Sequence, residues 1–414
     1  MMGREISGWP APIGPAIPYP DIGRAVSVHM AQAHSNHHTP HVVVVGAGIL
    51  GASIAFHLTL RGAQVTVVEA GEPGQGASRV SFAWLNAYDK NPFPYHDLNR
   101  RSIEMWERFK RRLGGDIDLV WGGELRWSAT PEGADALRAR AKALQAWGYP
   151  TRIIDAAEVR RLEPDLEMSE MTAASYTDID GHVNTRDVIR ACISAAEAGG
   201  AELRTQATVT GMQLGQTSSG TSRIEGVTIG GQTIPCDVAV LAGGPDMPAL
   251  ARLAGVDLPV YHTFGASILT EPIAPLFKHI AVYHPARDRP PTVNFRQFSD
   301  GVVMIGATAP DNQQEGDRAR TDDDVAQIMA EAAAVLPALR GVRVQELRQG
   351  RRPIPQDGES IIGFSDTVSN LYLATTHSGV TLAPIIGEFA AIEIVDGTAI
   401  DLLQPFRLAR FRSN

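Results

Sequence analysis

Residues 41–51 read HVVVVGAGILG. Four consecutive valines, Val42 to Val45, have the β-branched, uniformly apolar character of a strand buried on both faces. The glycines that follow are spaced Gly46-x-Gly48-x-x-Gly51. In that spacing the first makes a tight turn, the second lets a pyrophosphate approach the backbone, and the third lets helix and strand lie close together. The segment ILGASIAFHLTLRGA carries Ile54 and Leu58 at helical spacing, and Gly62 suits its C-cap. A second strand, QVTVVEA, contains Glu69, 21 positions beyond Gly48. A carboxylate there hydrogen-bonds ribose hydroxyls and repels a 2′-phosphate, which disfavours NADP. The unit is a βαβ dinucleotide site whose candidate contacts are Gly46, Ala47, Gly48, Ile49, Leu50, Gly51, Glu69 and Ala70. NAD and FAD both fit it.

The chain of 414 residues is long enough for two domains with sizeable cores. With 44% hydrophobic and 20% charged residues it has a soluble, globular composition, and a net charge of −9 argues against nucleic acid or an anionic membrane as its main partner. Cys192 and Cys236 form no metal pattern and need no disulfide, which suits a reducing cytoplasm. The longest apolar run, Val42 to Phe56, is too short and too rich in glycine to span a membrane. Residues 1–40, rich in Pro and Gly, lack the basic and apolar regions of a signal peptide and read as a disordered extension. Within it, His34, His37, His38 and the adjoining His41 have no ordered surroundings to make them metal ligands. No metal site is expected.

Beyond Glu69, PYHDLNRRSIEMWERFKRRLGG carries Leu98, Met105, Phe109 and Leu113 on one face of an amphipathic helix. VWGGELRWSA reads as a strand, and Thr130-Pro131 starts another helix. NTRDVIRACISAAEAGG is a helix feeding the strand AELRT, and CDVAVLAGG is a buried strand running into Gly243 and Gly244. YHTFGASILTE, TVNFRQ and DGVVMIGA read as strands of a separate antiparallel sheet, and a helix follows from Asp322 to about Leu339. The fold class expected is mixed α/β: a Rossmann-like domain with a parallel sheet, and an inserted domain with an antiparallel sheet. The nucleotide domain is placed at 41–90, 175–255 and 345–400, the substrate domain at 91–174 and 256–344, and a plain tail at 401–414.

Residues 350–397, GRRPIPQDGESIIGFSDTVSNLYLATTHSGVTLAPIIGEFAAIEIVDG, turn the nucleotide into a flavin. With the N-terminal glycines, this stretch resembles the D-amino acid oxidase, glycine oxidase and sarcosine oxidase family of FAD-dependent oxidoreductases. Members carry a late Arg-Pro-x-x-x-Asp-Gly segment, here Arg352-Pro353 with Asp357-Gly358. A strand, a His-Ser-Gly turn and a helix follow, here NLYLAT, His377-Ser378-Gly379 and a helix from about Pro384. GASRVS is similar to the family's flavin loop, with Ala77, Ser78 and Ser81 near pyrophosphate and ribityl chain. The resemblance further implies that the backbone of Val209 meets the adenine and that Gly243 and Gly244 touch the cofactor. It also places Gly350, Gly379, Val380 and Thr381 at the flavin, where N–H donors would stabilise negative charge.

For the substrate, the resemblance assigns Arg352 to a carboxylate, with Arg348 and Arg351 as rivals. A planar fork makes two parallel charge-assisted bonds and so orients the α-carbon. Tyr261 and His262 fall on a strand that walls the family's substrate cavity, and His377 completes the candidate catalytic set. Glycine and sarcosine oxidases place a basic residue in the turn where this chain offers only Ser378 and Thr381. No cysteine lies near Gly350 to attach flavin covalently, and Met304 stands where sarcosine oxidases place a lysine for oxygen, which tilts the reading towards a dehydrogenase. The implied reaction oxidises the C–N bond of a small amino acid or N-alkyl amino acid to an imine by hydride transfer to flavin N5. Electrons then pass to oxygen or another carrier. An NAD-dependent dehydrogenase on the same βαβ unit is one alternative. A flavin-binding subunit of a heteromeric amino acid dehydrogenase complex is another, and the resemblance allows homo- or hetero-oligomers.

Overall fold

Val42 and Val44 face one hydrophobic core and Val43 and Val45 another, so the valine run is a strand covered on both sides. This is seen in a computed structural model that describes residues 39–412 apart from 165, 168–169, 286–291 and 309–319. The expected N-terminal extension up to residue 38, with His34, His37 and His38, lies outside the described residues.

The sheet around that strand has six members, in the order Ile361–Phe364, Leu371–Thr375, Val238–Leu241, His41–Val45, Gln64–Val68 and Glu202–Arg204. All neighbours pair in parallel except the first two, which are antiparallel. Helices Ile49–Leu60, Thr185–Ala198 and Gly379–Ala391 cover one face. The other face is covered by helix Met247–Arg252 and a three-stranded sheet, Val209–Gln216, Ser222–Ile229 and Gln232–Pro235. The surface helix expected after residue 93 runs Phe93–Leu113 and buries Leu98, Ile103, Trp106 and Phe109. From it, Ser102 Oγ and Trp106 Nε1 donate to the Thr381 carbonyl at 2.6 and 3.1 Å, fastening the C-terminal helix.

A second large sheet of eight strands begins Val344–Pro355, Val260–Pro272, Val302–Thr308 and Thr292–Gln297. These four pair antiparallel, as expected of a separate sheet. Period-two alternation splits them cleanly. Ile268, Val293, Phe295, Val303 and Ile305 pack with Ile328, Ala332 and Val335 of helix Asp322–Val335. The opposite face carries Gly265, Ser267, Asn294, Gly306, Gly350 and Arg352 towards the nucleotide side. The fold is thus mixed α/β, with one mainly parallel and one mainly antiparallel sheet. The strand Val344–Pro355 belongs to the second sheet although its sequence continues directly into the first.

Two local expectations are corrected. The C-terminal helix starts at Gly379, five residues before the expected Pro384, which sits inside it. Gly387 lets this helix lie close against Ser53 and His57, since a Cβ there would come within 2.2 Å of Ser53 Oγ. Residues 401–412 are not a plain tail: Leu403, Phe406 and Leu408 are buried, and Arg407 and Arg410 are ion-paired to Glu393 and Asp357.

Candidate active site

Gly46, at the end of the first strand, has φ +102°, and a Cβ on it would lie 2.6 Å from the Ala242 carbonyl oxygen. A Cβ on Gly51 would lie 1.9 Å from the Gly46 carbonyl oxygen, so only glycine lets this helix meet this turn. At Gly48 a Cβ would meet only Ser78 Oγ, at 3.5 Å. The backbone there is open to a ligand. The Ile49 N–H, first in its helix, donates to Ser78 Oγ at 3.1 Å, so a hydroxyl from the short helix Ala77–Val80 satisfies the first donor of the helix end that opens on the cavity. Glu69 accepts from the Ala47 N–H at 2.8 Å through Oε2 and from the Gly71 N–H at 2.9 Å through Oε1. Its carboxylate therefore also fixes the glycine turn. Ser81 Oγ accepts from Ala83 N–H in its own loop, at 3.0 Å.

These residues line one end of a cavity of ≈ 770 Å³, near the upper end of the usual range for small-molecule sites, about 300–1,000 Å³. The cavity takes in Gly46, Gly48, Ile49, Leu50, Glu69, Ala70, Ala77, Ser78, Ser81 and Val209. It continues past Gly243, Gly244 and Gly350 to Arg352, His377, Gly379, Val380 and Thr381. Ala47 and Gly51 stay behind the lining, one held to Glu69 and the other pressed on Gly46. Because the C-terminal helix begins at Gly379, its first N–H groups and the positive end of its dipole meet the cavity, as do those of the helix at Ile49. The turn before it is fixed: Tyr95 Oη donates to Ser378 Oγ at 2.8 Å, and Ser360 Oγ donates to Thr376 Oγ1 at 2.8 Å. Two helix N-termini, an approachable glycine backbone and a ribose-distance carboxylate around one long cavity fit a dinucleotide such as FAD.

Arg352 reaches the cavity from the antiparallel sheet by lying across Gly265, whose Cβ would come within 2.9 Å of Arg352 Cδ. Its Nη2 donates to the Phe264 carbonyl at 3.2 Å, whereas Nε is buried and makes no hydrogen bond. No carboxylate among the described residues pairs with it. Burial, with a smaller contribution from the charge of Arg320, lowers its pKa. Both rivals are engaged: Arg348 pairs with Glu346 at 2.9 Å and Arg351 with Asp246 at 2.8 Å. His377 exposes its ring to the cavity yet is enclosed by protein around it. Burial first, then the charges of Lys90 and Arg352, lower its pKa to about 3. It is a neutral imidazole at physiological pH.

Tyr261 and His262 are not brought to this cavity. Both are exposed near the start of the strand, paired with Ile354 and Pro353, and the cavity meets the strand only from Gly265 to Ser267. Residues not anticipated are Lys90, Asn294 and Phe82. Asn294 Oδ1 is buried without a hydrogen bond, lying flat over Gly306. The alternation in TVNFRQ signals its face, but a polar face in a strand ordinarily means solvent. Nothing in AYDKNPFPY marks Lys90. Among the described residues no group of His, Cys, Asp and Glu could hold a metal ion.

Comparison with known proteins agrees with this geometry. A family model described as FAD dependent oxidoreductase matches residues 41–391. The glycine oxidase of Geobacillus kaustophilus is 28% identical over 90% of this chain and 97% of its own. Its crystal structure has a TM-score of 0.78 to this fold at 26% identity, covering 90% of this chain and 99% of that one. One of the subunits of the opine oxidase of Agrobacterium tumefaciens is 25% identical over 90% of this chain and 98% of its own. A match running from the first strand to the end of the helix at the flavin turn makes this chain a member of the FAD-dependent oxidoreductase family that includes the D-amino acid, glycine and sarcosine oxidases, with FAD as its cofactor.

Proposed function

We propose that this oxidoreductase oxidises the C–N bond of a small amino acid or N-alkyl amino acid to an imine, which water then hydrolyses. The observation that carries the reading is Arg352, a half-buried guanidinium with a free Nε and no carboxylate partner among the described residues, set in the cavity wall. Its fork holds the substrate carboxylate and aligns the α-carbon. FAD, when bound, supplies the acceptor for the two electrons that leave the C–N bond. Gly48, Ile49 and the serine cap at Ser78 hold its pyrophosphate, Glu69 its ribose, and the Val209 backbone its adenine. The N–H groups of Gly379, Val380 and Thr381 face the flavin's pyrimidine edge. Glu69 and Asp246, the carboxylates of the described lining, are engaged elsewhere, and His377 is too weak a base to take a proton from an ammonium. The substrate amine therefore enters unprotonated.

The purified chain is expected to be yellow, to release FAD on acid denaturation, and to bleach anaerobically with members of a panel of D-amino, N-methyl and cyclic amino acids. A panel that leaves the flavin oxidised throughout would sink the reading. Glu69→Ala is expected to weaken FAD binding by roughly 10- to 100-fold, read as flavin lost on dialysis with the far-UV spectrum kept. Full occupancy after extensive dialysis would remove Glu69 from the ribose.

A second reading, a flavin subunit working within a heteromeric complex, is favoured by the likeness to the opine oxidase subunit over nearly its whole length. The lone chain would then reduce its flavin but turn over only with an added partner or carrier. Among the described residues no helix is long and apolar enough to cross a membrane. The buried, unbridged Cys192 and Cys236 suit the cytoplasmic setting proposed from composition.

A further inference from the structure

Lys90 lines the same cavity as Arg352 and His377. Among the described residues it makes no hydrogen bond or ion pair. It is not on a loose loop. Arg140 Nη2 donates to the Tyr88 carbonyl and its Nη1 to Asn91 Oδ1 at 3.3 Å, gripping the chain on both sides of Lys90. The Tyr88 ring lies against the Arg126 guanidinium, 3.7 Å from its centroid, and Arg126 is itself paired to the buried Glu124 and to Asp89. One residue earlier, the Ala87 N–H donates to Tyr149 Oη at 2.8 Å and its carbonyl lies 2.7 Å from His96 Nδ1. The segment that presents this ammonium is thus held in place by contacts from several elements.

The charge balance of that end of the cavity is lopsided. Thr381 Oγ1 donates to the Trp84 carbonyl at 3.0 Å and accepts from the Asn86 N–H at 3.4 Å, which ties the segment carrying Lys90 to the turn after His377, in the cavity that Arg352 also lines. Of the carboxylates in the described lining, Glu69 is bound to Ala47 and Gly71 at the ribose end, and Asp246 is paired with Arg351. FAD brings its negative charge to the pyrophosphate, where two helix N-termini and the glycine backbone receive it. A substrate with one carboxylate and a neutral amine matches Arg352 and leaves Lys90 without a counter-charge in the described lining.

We propose that Lys90 binds a second carboxylate of the substrate, so that the oxidised amine is a dicarboxylate held by Arg352 at one acid group and by Lys90 at the other. The inference rests on the amine-oxidising reading above and narrows its substrate class. A lysine suits the second position, because a compact ammonium on a flexible stem tolerates several spacings, whereas the arginine fork fixes the reacting end.

The test compares matched pairs in which a methyl replaces one carboxylate, on the flavin-loaded full chain: N-(2-carboxyethyl)glycine against N-propylglycine, and each enantiomer of glutamate against the same enantiomer of norvaline. For at least one pair, the wild type is expected to reduce its flavin with the diacid roughly 10- to 100-fold more efficiently in kcat/KM than with the monoacid. Lys90→Met is expected to bring that ratio close to one, and Lys90→Arg to restore most of it. A readout without turnover accompanies this: titrating glutarate and butyrate against the flavin absorption band, with glutarate losing its tighter Kd in Lys90→Met. Monoacids that match or exceed the diacids in the wild type overturn the proposal and leave amine oxidation standing. Equal losses on both members of each pair in Lys90→Met also overturn it, by showing that Lys90 acts on the flavin or the scaffold. If these substrates and the wider amino acid panel all leave the flavin oxidised, the reading beneath the proposal falls, and the proposal with it.

Discussion

Arg352→Lys is expected to keep its flavin and its fold while losing about 2–4 kcal/mol of transition-state stabilisation, or roughly 30- to 1000-fold in kcat/KM. The prediction follows from where the guanidinium sits. Its aliphatic stem crosses Gly265 at a distance no other residue there permits, its Nη2 is tied to the Phe264 carbonyl, and its Nε is left over. Arg352 lines the cavity, and its guanidinium keeps donors that Phe264 does not use. A lysine retains the charge but has neither the planar fork nor the tether to Phe264. Both kcat and KM should suffer, because the same two bonds supply affinity and alignment. The control is an amine substrate without a carboxylate, for which the deficit should shrink. Equal deficits on both substrates would make Arg352 a scaffold residue, and an unchanged mutant would return the role to Arg351 or Arg348. Gly265→Ala offers a check from the other side. Its Cβ would stand 3.0 Å from Arg352 Nε and force the fork to move, without touching the charge.

What could be read from sequence here was whatever a local pattern determines. The valine run, the glycine spacing and Glu69 define a βαβ unit through contacts that reach little beyond it; Gly46 and Gly51 sit where a Cβ would strike backbone, and Gly48 where the backbone is open. Arg352 was singled out by its register to Pro353, and its freedom from ion pairs among the described residues became visible only once Glu346 and Asp246 were seen to occupy its neighbours. Tyr261 and His262 fall on the expected strand but outside the stretch of it that lines the cavity. The strand is 13 residues long, and only Gly265 to Ser267 of it reach the lining. The two residues near its start are exposed, and no local pattern in the sequence says where along a long strand the cavity begins. Lys90 was invisible because its position is made by Arg140, Arg126 and Tyr149, which come from a helix, a strand and a connecting segment elsewhere in the sequence. The three strand glycines on the cavity face, Gly265, Gly306 and Gly350, did carry a signal. A glycine within a strand marks a close approach of something else, here Arg352, Asn294 and Val80.

Arg407→Ala is expected to cost about 3–5 kcal/mol of stability, although residues 401–414 read as a plain tail from the sequence. The Glu393 carboxylate, buried beyond the end of the C-terminal helix, receives both guanidinium nitrogens of Arg407, Nη1 at 2.8 Å and Nη2 in a closer contact. It also accepts from Tyr372 Oη at 2.9 Å and from the Ile400 N–H at 2.8 Å, while Arg407 donates to the Ile362 carbonyl at 3.2 Å. One ion pair therefore joins the last residues to two strands of the parallel sheet and to the helix whose first turn faces the cavity. Removing the arginine strands a buried carboxylate with only neutral donors, the most damaging way to break such a pair. Replacing both partners with apolar residues, as in Arg407→Leu with Glu393→Met, should recover much of the loss, so the two effects will be far from additive. Urea midpoints of the four proteins measure this, and flavin retention at intermediate urea reports whether the loosening reaches Gly379 at the other end of the helix. A loss below about 1 kcal/mol, the range of an exposed pair, would mean that the C-terminal turns merely rest on the sheet.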